Sequence, residues 1–163
     1  MADSSDNDRF IFELVNQRQD QEWQRIDAID SKANNLLVFL VAIIVFLVGV
    51  AELTAQHSAK LPLWAEWTFL TGIAVLLEAM TNALLGYKIR KWELVPEPKA
   101  LIGDYGDAFL ERTIREVTAT MVETVAAMKV GVNQKAKYVD VAWYLTLAGI
   151  AIIFIYTILV LTL

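Results

Sequence analysis

Leu36 to Ala51 passes 16 residues without a charge, and Val141 to Leu163 passes 23. Runs of that length decide what this chain can become, because a helix rising about 1.5 Å per residue needs about 20 apolar residues to cross a hydrocarbon core of about 30 Å. With Asn34, Asn35 and Leu53 at its ends, the first run reaches that length, and the last exceeds it and can span with tilt. Between them Trp67 to Tyr87 holds a single charge, Glu78, and is flanked by Trp64, Trp67 and Tyr87, amphipathic rings of the kind that sit at membrane interfaces. An apolar content of 56% and a positive mean hydropathy place the chain in the same class. The expected fold is an all-α membrane protein with three transmembrane helices, a cytoplasmic helical region, and a long helix continuous with the last span.

The expected layout is an N-terminal cytoplasmic helix over 1–33, a first span over 34–53, a short outer loop over 54–65 and a second span over 66–87. A linker over 88–107, a long cytoplasmic helix over 108–138 and a third span over 139–163 complete it. Orientation follows from the basic residues of the connections. Four precede the first span (Arg9, Arg18, Arg25, Lys32), one (Lys60) lies between Thr54 and Ala65, and nine lie between 88 and 138. The positive-inside rule then puts the N-terminus and residues 88–138 in the cytoplasm and the C-terminus outside, in a multi-pass membrane protein. Met1 to Arg25 is polar and acidic, which is unlike a cleaved signal peptide. The outer loop, with His57 and Pro62, reads as a connector.

Two stretches outside the spans carry helical periodicity. Over residues 8–33, Phe12, Val15, Ile26, Ile29 and Ala33 recur at three- and four-residue steps, but Gln19 and Glu22 interrupt the stripe. After the proline- and glycine-bearing "ELVPEPKALIGDYGD", an eleven-residue repeat follows: Leu110, Ile114 and Val117, then Met121, Val125 and Met128, then Val132, Ala136 and Val139. Such a repeat predicts nearly straight packing, against the chain's own N-terminal helix or between subunits. No proline follows Ala100, so this helix and the third span form one rod of about 50 residues, about 75 Å long, with Gly131 as its flex point.

Chemistry is sparse. There is no cysteine and one histidine, which excludes disulfides, thiol catalysis and cysteine- or histidine-based zinc sites, and the expected place of His57 in the outer loop argues against a Ser-His-Asp set. "GDYGD" lacks the length, lysine and hydroxyl of a phosphate loop, and Asp104 and Asp107 read as helix-start residues. A net charge of -5 without a basic stripe argues against a nucleic-acid partner. The chain is expected not to be an enzyme and to carry no catalytic, metal or cofactor site. Glu78 stands apart, because an intramembrane carboxyl is a functional candidate by default. Thr71, Glu78 and Asn82 share one face of the second span, expected to enter a helix interface where Asn34, Asn35, Thr146 or Tyr156 bonds the carboxyl, or to line a pore as a proton-sensitive group. Gly72, Ala79, Ala83 and Gly86 give the same helix a small-residue side that permits close approach.

At the edge of the first span stands Asp30-x-Lys32-Ala33, followed by Asn34 and Asn35. This resembles the Asp-x-Lys-Ala motif that opens the first transmembrane helix of the membrane effectors of Pycsar antiphage defence. The likeness extends to a second span after a short loop, a cytoplasmic helical region, and a last span introduced by a lysine-bearing helix similar to "VNQKAKYVDVAWYLTLAGI", with Lys135 or Lys137 and Ala142 as looser matches. The resemblance implies a cell-death effector that impairs the inner membrane in response to cyclic CMP or cyclic UMP. An anionic ligand with a flat base needs cations and an aromatic ring, for which Lys88, Arg90, Lys91, Trp92, Arg112 and Arg115 are available. Asp30 would then clamp Lys32 or a basic residue of the neighbouring helix, Lys135 or Lys137. The expected partners are the lipid bilayer and further copies of the chain. Two other readings stay open: a small oligomeric ion channel or proton-sensitive membrane protein centred on Glu78, and a membrane-anchored scaffold.

Overall fold

The computed structural model describes residues 3–57, 62–88 and 110–162. Among these residues there are three helices, α1 (Asp3–His57), α2 (Leu63–Tyr87) and α3 (Leu110–Thr162), and no strand. Each is long and apolar enough to cross a membrane, as expected of a multi-pass membrane protein.

α1 runs for 55 residues and α3 for 53 because neither contains a proline. Both pass through the boundaries drawn at 33/34 and 138/139 without a break, and α3 remains helical at the buried Gly131. The connector between the first two helices is shorter than 54–65, since residues 54–57 belong to α1 and 63–65 to α2. Pro62 fixes the start of α2. Its φ of -64° and ψ of 142° are extended, and its carbonyl accepts the Ala65 N–H at 2.9 Å, with Glu66 in the first turn against the positive end of the helix dipole. The connector residues 58–61 and nearly all of the 88–107 linker, including "GDYGD", Asp104 and Asp107, lie outside the described residues.

The chain divides into two units. The first comprises residues 3–28 of α1 and 110–134 of α3. Its two helices run in the same direction, since Asp8 pairs with Arg115 near one end and Arg25 bonds Asn133 near the other. Gln19, Glu22 and Ile26 of α1 and Thr118, Met121, Met128 and Val132 of α3 are buried there.

The second unit comprises residues 29–57, α2 and residues 135–162 of α3. Leu36, Leu40 and Leu47 of α1, Leu76, Ala79 and Ala83 of α2, and Ala142 of α3 form its core. Between helices in hydrocarbon the hydrophobic effect gives little, so close van der Waals contact must hold the bundle together. The small residues of α2 supply that contact: Gly72, Ala79, Ala83 and Gly86 are all buried, as the sequence predicts. A Cβ on Gly72 would stand 2.7 Å from Ile153 Cγ1, and one on Gly149 would stand 2.7 Å from Leu76 Cδ2 and 3.4 Å from the Gly72 carbonyl oxygen. Gly86 lies beside Val139, so α2 is antiparallel to α3. Phe69 and Tyr156 add a tilted ring pair at 5.0 Å. Large apolar side chains point outward, among them Val45, Phe46, Trp67 and Phe154, which suits a lipid-facing surface.

The packing period of α3 corrects the expectation of an eleven-residue repeat. In the first unit Met121 and Met128 are buried seven residues apart, and in the second Lys135, Ala142, Gly149 and Tyr156 follow the same spacing. Thr118 and Lys135 are buried where the eleven-residue pattern places Val117 and Ala136, which are only half-buried. Seven-residue spacing is that of left-handed knobs-into-holes packing. Both polar residues can enter the seam because both are satisfied there: Thr118 Oγ1 donates to the Ile114 carbonyl at 2.6 Å, and Lys135 has an anionic partner on α1.

Candidate functional site

The site lies at the first residues of the second unit. Asp30 sits one turn before Ala33, which is fully buried on the inner side of α1, so its carboxylate is directed toward the neighbouring helices. Lys135 sits one turn before the buried Val139 on α3. Its ammonium donates to Asp30 Oδ1 at 2.7 Å and Oδ2 at 3.0 Å. The lysine side chain is 4% exposed and the aspartate 31%, so the cation is enclosed and the anion keeps one side toward solvent. Gly86 of α2 packs on the backbone of the same turn of α3: a Cβ there would lie 3.5 Å from the Lys135 carbonyl oxygen and 2.8 Å from Val139 Cγ2. The pair joins α1 to α3 and is part-buried, and no buried side-chain nitrogen or oxygen is left without a partner among the described residues. Such a pair adds little stability over apolar packing, but removing one member strands the other at a cost of about 3–5 kcal/mol.

Of the residues of the Asp-x-Lys-Ala segment, Asp30 and Ala33 face inward, while Lys32 is exposed and makes no ion pair with Asp30. Among the basic partners considered for Asp30, register selects Lys135 and leaves Lys137 exposed. Two of the other cations, both in the first unit, have acidic partners of their own. Arg112 pairs with Glu116 at 2.8 Å, and Arg115 pairs with Asp8 at 2.7 Å beside a groove of about 230 Å³ lined by Ile11, Ile114, Thr118 and Ala119. Lys88 is exposed just past α2, and Arg90, Lys91 and Trp92 lie outside the described residues.

The polar face of α2 is a correction. Thr71 and Glu78 are exposed and Asn82 is half-buried, so this face does not enter an interface among the described residues. The opposing face, with Gly72, Leu76, Ala79, Ala83 and Gly86, does. Small side chains allow two helices to approach, whereas a carboxyl in that contact would need hydrogen-bond donors there. Thr146, a considered partner, is fully buried and donates to the Ala142 carbonyl at 2.7 Å; Asn34 and Asn35 are exposed. Thr71 donates to the Trp67 carbonyl at 2.8 Å and Asn82 to the Glu78 carbonyl at 2.9 Å. The Glu78 carboxylate thus faces away from the bundle, three residues past residue 75, the midpoint of the 25-residue α2. Charged side chains at such depth cost about 2.5–3.5 kcal/mol on insertion scales.

Periodicity alone does not point to a polar layer that the first unit contains. Glu22 is 4% exposed, and Arg25 Nη1 donates to its Oε2 at 2.8 Å and its Oε1 at 3.0 Å while Nη2 reaches Asn133 Oδ1 at 3.2 Å. The interruption at Gln19 and Glu22 is itself the signal: both occupy the buried stripe, and an arginine three residues later completes the layer. Glu22→Ala should lower stability by about 1.5 kcal/mol, the low end for a hydrogen bond to a charged group because Arg25 remains partly hydrated. Thermal unfolding of the purified protein in detergent checks this, and an unchanged midpoint would show that the layer contributes nothing.

Among the described residues no group of histidine, cysteine or acidic side chains is placed to hold a metal ion. Comparison with known proteins finds no matching family model, no matching curated protein and no matching solved structure.

Proposed function

We propose that the chain is a membrane effector of antiphage defence, similar to the Pycsar transmembrane effectors, which impairs the inner membrane when a cyclic pyrimidine nucleotide is produced. One observation carries this reading. The two segments on which the likeness rests, Asp30-x-Lys32-Ala33 and the lysine-bearing entry to the last span, meet in the part-buried Asp30–Lys135 pair. A buried pair suits a triggered element, since it is stable when closed and costly when half-separated. In this reading the N-terminus and residues 88–138 are cytoplasmic, and the nucleotide or assembly it promotes acts on the cytoplasmic helices. α1 and α3 each contribute to both units, so a rotation of either reaches Asp30 or Lys135.

The test is membrane potential and viability in cells expressing the protein with and without cyclic CMP or cyclic UMP. Depolarisation only with nucleotide is the expected result. A steady conductance that ignores nucleotide and disappears in Glu78→Gln overturns it and favours a second reading, an oligomeric ion channel. The outward, mid-span position of Glu78 supports that alternative.

A further inference from the structure

We infer that α2 carries an intersubunit seam, Thr71, Ala74, Glu78 and Thr81, and that its occupant is the same seam of a second copy of the chain. The inference needs only the membrane-spanning reading and is independent of any nucleotide trigger. All four residues are exposed, and their three- and four-residue steps place them on one line along the helix, continued by Trp67 and Leu85. That line differs in chemistry from its neighbour. Leu70, Leu77 and Leu84 form an adjacent exposed row of large apolar side chains, which lipid satisfies without a protein partner. The seam instead combines a carboxyl with small residues, the composition that brings membrane helices together through close approach and interhelical hydrogen bonds.

Among the described residues no side chain bonds the Glu78 carboxyl. Asn82 reaches only its backbone carbonyl, and the Thr71 and Thr81 hydroxyls bond the carbonyls of Trp67 and Leu77. A lipid headgroup does not lie at that depth, whereas a second α2 of the same orientation, crossing near Glu78, brings the second amide N–H of Asn82 within about one helical turn of the carboxyl. Each copy then offers the other what it needs, which is the self-complementarity of a two-fold contact. Ala74 and Thr71 on one side and Thr81 on the other leave room for the crossing.

The chain has no cysteine, so single cysteines report this contact cleanly. Full-length protein in native membranes, carrying Ala74→Cys, Thr81→Cys, Leu77→Cys or Leu84→Cys, is oxidised and resolved without reductant. Ala74→Cys and Thr81→Cys should give a homodimer band several-fold stronger than Leu77→Cys and Leu84→Cys. Adding Glu78→Leu to Ala74→Cys should reduce that band to the level of the leucine-row positions, and adding Glu78→Gln should retain most of it. Equal cross-linking at all four positions, stronger cross-linking on the leucine row, a band of heteromeric size, or a Glu78→Leu variant that cross-links fully would each overturn the inference. The position comparison holds the test open if Glu78→Leu fails to insert.

Discussion

Asp30→Ala should destabilise the protein by about 3 kcal/mol, the lower end of the range for breaking a buried charge pair, because Asp30 is itself partly hydrated while Lys135 is enclosed. The loss comes from the stranded ammonium rather than from the missing attraction. Lys135→Met on the same chain should therefore restore most of it, since methionine matches the lysine stem in length and asks for no partner. Lys32→Ala and Lys137→Ala, both at exposed positions, should stay within about 0.5 kcal/mol of the parent. Unfolding of the four variants in detergent, followed by circular dichroism, checks the set. If Asp30→Ala and Lys137→Ala behaved alike, the ion pair would not hold the helices together.

Gly149→Leu should separate α2 from α3. Even one added carbon at this position meets Leu76 Cδ2 and Cγ at 2.7 and 2.8 Å and the Gly72 carbonyl at 3.4 Å, and a backbone atom cannot rotate aside. Gly149→Ala should cost about 1–3 kcal/mol by overpacking, and the leucine more. Gly49→Ala is the control, because a Cβ there meets nothing within 4 Å, and removing a helix-interior glycine should be neutral or stabilising by up to about 1 kcal/mol. Helix separation is read as a fall in the unfolding midpoint and as loss of the Phe69–Tyr156 contact by tyrosine fluorescence or aromatic NMR shifts. Equal midpoints for Gly149→Leu and Gly49→Ala would remove close glycine packing from the account of the bundle.

The spans and the packed side of α2 were legible because each follows from one local quantity: the length of an uncharged run, or the size of residues at four- and seven-residue spacing. Asp30 was legible as a clamp, but its partner was not, since choosing Lys135 over Lys32 or Lys137 requires the register between α1 and α3. The repeat of α3 was misread for a physical reason. Seven- and eleven-residue patterns share Ile114, Met121, Val125, Met128, Val132 and Val139, and differ at Val117 against Thr118 and at Ala136 against Lys135. Hydrophobicity favours the apolar member each time, whereas the fold buries the polar one because a hydrogen bond or a countercharge awaits it. The in-chain partners expected for Glu78 were not legible for a similar reason: the cost of a carboxyl in lipid argues that it needs a partner or water, but not that the partner belongs to the same chain.

The most direct test of the proposed role of the Asp30–Lys135 pair is membrane potential in cells producing Asp30→Ala/Lys135→Met, compared with the parent, before and after cyclic CMP or cyclic UMP is supplied. This double substitution keeps the bundle packed while removing the element that the trigger is proposed to act on. The expected result is a variant that accumulates in the membrane at parental levels and no longer depolarises the cell in response to nucleotide. A double variant that depolarises as fully as the parent would contradict the proposal and reduce the pair to a fastening between helices.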